Sequence, residues 1–232
     1  MKILEIGKVD LASLCYLNKE RYPFLLESVN HNDNNRYSIL FAFPEKSIIL
    51  HNFSDFNFLS ELEKQFKLNI VKTNLPFSGG WFIYLSYELI GQIEPILSGE
   101  LHTSELPIAY AVKIPSAIII DHQLNTTYLI DQDSDQIRIN TMLTDIELIK
   151  PIPEENILGE LSEENEDKFI NGVKACLDYI VAGDVFQVNL SREWQYKLTN
   201  EIDSAIIYRA LKNSNPAPFS ALIQYENFSI VS

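Results

Sequence analysis

Short runs of β-branched and aromatic residues, each bounded by breakers, constrain this fold more than any other sequence feature. Four such runs are Arg36–Phe43, Ser47–Leu50, Ala117–Ile120 and Thr126–Ile130. Runs of this length and composition are typical of strands. The last two flank a polar turn and therefore predict a hairpin. The first part of the chain is thus predicted to contain several short strands, two of them paired in a hairpin.

A connector rich in glutamate and proline, Asp145–Glu160, separates two kinds of pattern. Beyond it we predict a helix capped by Ser162 and ended by Gly183, a strand over Phe186–Ser191, and a helix capped by Asp203. Strands combined with helices in this way predict an α+β fold. We place the domain boundary at the connector, giving regions 1–150 and 151–232.

The charge balance excludes several classes of partner. The chain has 232 residues and a formal net charge of −14. A nucleic-acid binder or a protein of anionic membranes needs a basic face, so neither partner is predicted. No apolar run approaches the roughly 18 residues of a membrane span, and no signal peptide is recognisable. We therefore expect a cytoplasmic protein.

Generic catalytic motifs are lacking. The sequence has no glycine-rich phosphate loop and no Gly-x-Ser-x-Gly elbow. Its four histidines, His31, His51, His102 and His122, show no metal-ligand spacing. The acidic run Glu154–Asp167 is explained by a solvated connector and a helix N-terminus. These motifs alone identify no catalytic residue and no metal ligand.

Three longer motifs occur in a fixed order. The most specific is Ile180–Ser191, which reads Ile-Val-Ala-Gly-Asp-Val-Phe-Gln-Val-Asn-Leu-Ser. The others are Tyr208–Ala221, which contains Asn-Pro-Ala-Pro-Phe, and Pro23–Ser28 followed by Asn35–Ser38. Together they resemble the chorismate-utilising synthases, a family that includes anthranilate synthase component I and aminodeoxychorismate synthase component I.

Two stretches resemble the aminodeoxychorismate branch more than the anthranilate branch. Ala217–Ala221 departs from the Ser-Pro-Tyr-Met usual in anthranilate synthases. Gly79–Glu88 is similar to the Gly-Gly-Trp-x-x-Tyr-Leu-x-Tyr-Glu of the aminodeoxychorismate branch. The resemblance therefore favours amination of chorismate to 4-amino-4-deoxychorismate, on the route to 4-aminobenzoate and folate. Anthranilate synthase component I is the alternative enzyme.

The resemblance also implies a fold, a cofactor and a partner. The family fold is an α/β/β/α sandwich of mixed, mainly antiparallel sheets. In the family, Mg²⁺ assists catalysis and a glutamine amidotransferase subunit supplies ammonia. The matching part ends before the family's magnesium ligands and catalytic residues, so we expect a chain truncated before the catalytic part. Residues 1–232 alone are expected to be inactive, which leaves a non-catalytic tryptophan-binding or subunit-docking module as a further alternative.

The matching region of the family forms a pocket for L-tryptophan. The resemblance places Ser28, Asn35, Arg36 and Tyr37 on one wall, Pro218, Phe219 and Ser220 on the other, and Glu27 beside the ligand amine. An indole needs an aromatic slot and an amino acid needs charged partners, which these residues supply. Other roles stay open: an ion pair with a surface acid for Arg36, a solvated or helix-terminal carboxylate for Glu27, and core packing for Pro218 and Phe219.

Two amides lie in the most specific motif. We expect Gln187 and Asn189 to be buried on a strand and to orient loops around the active site. The alternative is ordinary hydrogen bonding within the sheet.

Overall fold

The computed structural model describes residues 1–28, 35–66, 73–97 and 106–232. Of the four histidines, His31 and His102 lie outside these ranges. The strands in the described residues are β1 Lys2–Ile6, β2 Phe24–Glu27, β3 Tyr37–Ala42, β4 Ser47–Leu50, β5 Gly80–Leu85, β6 Ala109–Ile114, β7 Ser116–Asp121, β8 Thr126–Asp131, β9 Gly159–Glu163, β10 Trp194–Leu198, β11 Ser220–Tyr225 and β12 Phe228–Val231. The α-helices are α1 Leu11–Leu17, α2 Phe58–Gln65, α3 Ile90–Ile93, α4 Gln136–Leu148, α5 Glu166–Ala182 and α6 Ser204–Ser214.

Two sheets form the larger compact unit, residues 1–154 and 203–232. Within the described chain, one sheet has the order β1-β8-β7-β3-β2-β11-β12 and the other the order β4-β6-β5. Every pairing between their described strands is antiparallel. The predicted hairpin is confirmed by β7 and β8, in which Ile118 lies opposite Leu129.

The two sheets pack face to face through aromatic side chains. Phe24 of β2 stacks on Phe82 of β5, with ring centroids 4.0 Å apart and ring planes 7° from parallel. Tyr225 of β11 stacks on Tyr110 of β6 in the same way, at 4.7 Å. Each pair joins one sheet to the other, so these rings hold the centre of the sandwich.

Helices cover the outer face of each sheet. Phe58 of α2 is buried against Leu50 and Ala109 of the smaller sheet. On the larger sheet, α6 contacts β11 and α4 contacts β8. The layer order is therefore helix, sheet, sheet, helix, and the predicted α+β sandwich is confirmed.

The compact units divide the chain differently from the predicted regions. The larger unit consists of Met1–Glu154 and Asp203–Ser232, because β11 returns to pair with β2. Residues 155–202 form a unit of their own. The division of the chain into family domains at residue 150 stays a prediction.

The smaller unit contains α5 and the antiparallel pair β9 and β10, which lie on either side of α5 in the sequence. Gly183 ends α5 with φ 84°, as predicted. The predicted cap is wrong: Asn165 caps α5 by accepting a hydrogen bond from the Asp167 amide at 2.8 Å. Ser162 is instead paired with Gln195 in the β9–β10 ladder. No residue of α5 is buried.

The predicted strand over 186–191 is wrong. These residues have no regular structure, and Phe186 is fully exposed. A strand needs a neighbouring strand for its amide and carbonyl groups, and none of the described strands pairs with this segment. Alternation of apolar and polar residues was therefore insufficient to predict a strand here.

The described ranges contain neither a membrane-spanning helix nor a disulfide bond. None of the helices there is long and apolar enough to cross a bilayer. Cys15 is buried, Cys176 is partly exposed, and both are free thiols.

Candidate functional site

A cavity of about 520 Å³ lies beside the end of β2 in the larger unit. Most of the residues predicted to bind tryptophan line it, namely Glu27, Ser28, Asn35, Arg36, Tyr37, Phe219 and Ser220. Leu26 and Ile39 add apolar surface. Pro218 is exposed and does not line the cavity. The two predicted walls therefore do meet in one place.

Strand register explains why distant segments meet here. β2 lies between β3 and β11 in the larger sheet. Leu26 pairs with Ile39 on one side, and Glu27 pairs with Ser220 on the other. The end of β2 is consequently flanked by the start of β3 and the start of β11.

Glu27 is held by two donors from α6. The Tyr208 hydroxyl donates to Glu27 Oε2 at 2.7 Å, and Lys212 Nζ donates to the same oxygen at 2.8 Å. Burial, reinforced by the Glu27 charge, raises the pKa of Tyr208, so the phenol stays protonated and donates. Oε1 of Glu27 accepts no hydrogen bond from any described residue, which leaves it for a ligand.

Ser28 is fixed by its neighbours on β3. Its amide donates to Ser38 Oγ at 3.1 Å, and its hydroxyl donates to the Tyr37 carbonyl at 2.9 Å. Ser38 Oγ lies 2.8 Å from His122 Nε2. The Ser28 oxygen still has lone pairs with which to accept a bond from a ligand.

Arg36 is committed to an ion pair. Its Nε and Nη2 donate to the Asp121 carboxylate at 3.0 and 2.6 Å, and the Asp121 side chain is 2% exposed. The Arg36 hydrogen bonds lower the pKa of Asp121, so the pair stays charged. The guanidinium also lies over the Tyr37 ring, 4.8 Å from its centroid. Arg36 therefore takes its alternative role, as a partner in an ion pair. Its acid, Asp121, is buried and does not lie at the surface.

Phe219 stands at the rim of the cavity. Its side chain is 77% exposed, whereas the adjacent Ser220 is buried. Core packing therefore does not explain Phe219. An exposed aromatic ring beside an apolar cavity is available to stack on a flat ligand.

Gln187 and Asn189 are not buried. Both are exposed in the smaller unit, where Gln187 Nε2 donates to Asn189 Oδ1 at 3.3 Å. Their predicted burial on a strand is wrong, because the segment has no strand to pair with. A role in orienting active-site loops stays a prediction.

The residues that support the site were missed by the sequence analysis. Asp121 gave no signal, because it lies at the end of a strand and meets Arg36 only through the β3–β7 pairing. Tyr208 belongs to a recognised motif, and its spacing from Lys212 on one helix face was the available signal.

A magnesium site needs several oxygen ligands close together. In the described part of the chain, no group of three or more His, Cys, Asp and Glu side chains is placed to hold a metal ion. The described residues therefore offer no set of ligands that fits Mg²⁺.

Comparison with known proteins gives the protein family to which this layered fold and its cavity belong. Residues 22–232 match the family described as chorismate binding enzyme. The chain belongs to this family, which confirms the resemblance seen in the three motifs.

Two kinds of relative share this similarity. The chain is 28% identical over 201 residues to an anthranilate synthase component I-like protein of Synechocystis, covering 84% of this chain and 41% of that protein. It is 28% identical over 167 residues to aminodeoxychorismate synthase component 1 of Bacillus subtilis, covering 67% and 35%. It is 27% identical to anthranilate synthase component 1 of Lactococcus lactis, covering 99% and 56%. The chain thus spans about half the length, or less, of these relatives.

A solved structure confirms the fold. Anthranilate synthase component I from Streptococcus pneumoniae superposes with a TM-score of 0.66 and 23% identity. The match covers 87% of this chain and 50% of that one.

Proposed function

We propose that this chain is part of a cytoplasmic aminodeoxychorismate synthase component I. The intact protein replaces the 4-hydroxyl of chorismate by an amino group, using ammonia from a glutamine amidotransferase subunit, with Mg²⁺ as cofactor. The proposal rests on the resemblance of Gly79–Glu88 to the aminodeoxychorismate branch. Ala217–Ala221 is a second stretch that resembles this branch. The B. subtilis relative is consistent with this branch.

Anthranilate synthase component I is the second candidate. The names of the Synechocystis and L. lactis relatives favour it. The two reactions give different products, since aminodeoxychorismate synthase retains the enolpyruvyl group of chorismate and anthranilate synthase eliminates it as pyruvate.

Product analysis separates the two candidates. The protein expressed from its native gene is incubated with chorismate, ammonia and Mg²⁺, and the products are identified by mass spectrometry. We expect 4-amino-4-deoxychorismate. Anthranilate with release of pyruvate would contradict the proposed branch and favour the second candidate.

Residues 1–232 on their own are expected to form no product. The motifs assign no catalytic residue to this stretch, and the described residues offer no metal-binding cluster. The measurement is the same assay with this chain alone, against a blank without protein. Any chorismate-dependent product above the blank would show that a catalytic site lies within these residues.

We further propose that the cavity beside β2 binds L-tryptophan. Its volume of about 520 Å³ suits an amino acid of this size, and Leu26, Ile39 and Phe219 offer surface to an indole. The free oxygen of Glu27 is a partner for the ligand ammonium. The Arg36–Asp121 pair supports the wall without contributing a free charge.

Replacing Phe219 by alanine is expected to weaken tryptophan binding about tenfold, because an aromatic stacking partner is lost. Isothermal titration of the chain with L-tryptophan measures this. Phe186→Ala is the matched control, because Phe186 is exposed and lies in the smaller unit. An absence of heat at millimolar tryptophan, or equal affinities in both variants, would contradict the proposed site.

A further inference from the structure

A second cavity, of about 600 Å³, lies in the larger unit. It shares Glu27 and Ser28 with the first cavity, and its other walls come from different segments. These are the residues between β1 and α1, the β7–β8 hairpin, and the last turns of α6. Apart from Glu27 and Ser28, none of its lining residues was predicted to bind a ligand.

The walls of this second cavity carry a local excess of positive charge. Lys8, Arg209 and Lys212 line it, together with the acids Asp10 and Glu27. With three cations and two acids, its lining has a formal charge of +1 before His122 is counted, in a chain whose net charge is −14. Chance distribution of charges over so acidic a chain would favour a negative lining.

The two acids are already neutralised by specific partners. Arg209 Nη2 lies 3.1 Å from Asp10 Oδ2, and Lys212 Nζ lies 2.8 Å from Glu27 Oε2. Lys8 does not form an ion pair with any acid in the described ranges. Its charge is consequently the uncompensated one.

Uncharged donors complete the lining. Asn125, Asn213 and the buried Thr127, whose side chains carry amide and hydroxyl donors, also line this space. Amide and hydroxyl donors beside a lysine are the groups that bind carboxylate and phosphate oxygens in proteins. The volume exceeds that of a bare ion and falls in the range of small-molecule sites.

We propose that this second cavity binds a small oxyanion, a di- or tricarboxylate or a phosphate, with Lys8 as the principal charge. The occupant would offset the positive lining, while Arg209 and Lys212 keep their present partners. This site differs in charge from the proposed tryptophan cavity and does not depend on the proposed reaction.

Isothermal titration at constant ionic strength tests the proposal, with potassium phosphate and with sodium malonate as probes and sodium chloride as the blank. We expect saturable binding of at least one probe. The probe that binds more tightly identifies a phosphate or a carboxylate source. Lys8→Glu is expected to raise its Kd at least about tenfold, because a charge is reversed at the site.

Lys19→Glu is the matched control. Lys19 is exposed, lines neither cavity, and its replacement changes the net charge by the same amount. We expect its Kd to change less than about twofold. Thermal unfolding of both variants confirms that they fold.

Three results would overturn the proposal. One is no saturable heat with either probe up to about 10 mM. Another is equal weakening in Lys8→Glu and Lys19→Glu, which would reflect net charge only. The third is unchanged affinity in Lys8→Glu.

Discussion

Replacing Phe82 by alanine is expected to lower the free energy of unfolding by about 3–5 kcal/mol. Phe82 is buried and stacks on Phe24 across the two sheets, and its edge contact with Phe41 adds a second link. The truncation leaves a void between two rigid sheets, which cannot close over it without moving a whole layer.

Urea denaturation followed by circular dichroism measures this change. Phe66→Ala is the control, because Phe66 belongs to the same unit and is more than half exposed. We expect the control to shift unfolding by less than about 1 kcal/mol. Similar losses in the two variants would mean that the stack does not hold the sheets together.

Replacing Gly79 by alanine is expected to cost about 2–4 kcal/mol. Gly79 has φ +103°, a conformation that side chains rarely adopt. An added Cβ would also lie 2.7 Å from the Cβ of Gln132 and 2.2 Å from its Oε1. Backbone strain and steric overlap therefore act together, at the start of the strand that carries Phe82.

Gly7→Ala is the control for this substitution. No atom lies within 4 Å of a Cβ added at Gly7, so we expect a change within about 0.5 kcal/mol or a slight gain from reduced chain entropy. The two variants are compared by thermal and urea unfolding. Equal stabilities of the two variants would indicate that the backbone at residue 79 accommodates alanine without loss of free energy, and that the fold does not require glycine there.

Local chemistry predicted much of the secondary structure. Asp203 caps α6 by accepting from the Ala205 amide, and Gly183 ends α5, because both interactions involve residues close in sequence. The β7–β8 hairpin was equally accessible, since its strands are joined by one short turn.

Features that depend on distant partners were not predictable in the same way. Ser162 is a good capping residue, yet pairing with β10 placed it in a strand. Segment 186–191 has a strand pattern and lacks a partner among the described residues. Pattern specifies which face of a strand is apolar, and it does not specify what covers that face.

The candidate site shows the same division. Resemblance to a family located both of its walls, one with Glu27, Ser28 and Asn35–Tyr37 and the other with Phe219 and Ser220. The contacts that fix them join Arg36 to Asp121 and Glu27 to Tyr208, which lie 85 and 181 residues apart in sequence. No spacing rule reaches across such separations, so the polar support of the site emerged only from the fold.

The position of β11 beside β2 has a consequence for how the protein is made. Synthesis proceeds from the amino terminus, so β2 exists long before residues 220–225 leave the ribosome. Until then one edge of β2 has no partner, and the nascent chain presents an open sheet edge of the kind that associates with other chains. Pairing of β2 with β11 also joins residues from nearly opposite ends of the sequence. Its formation is therefore a late step with a high cost in chain entropy.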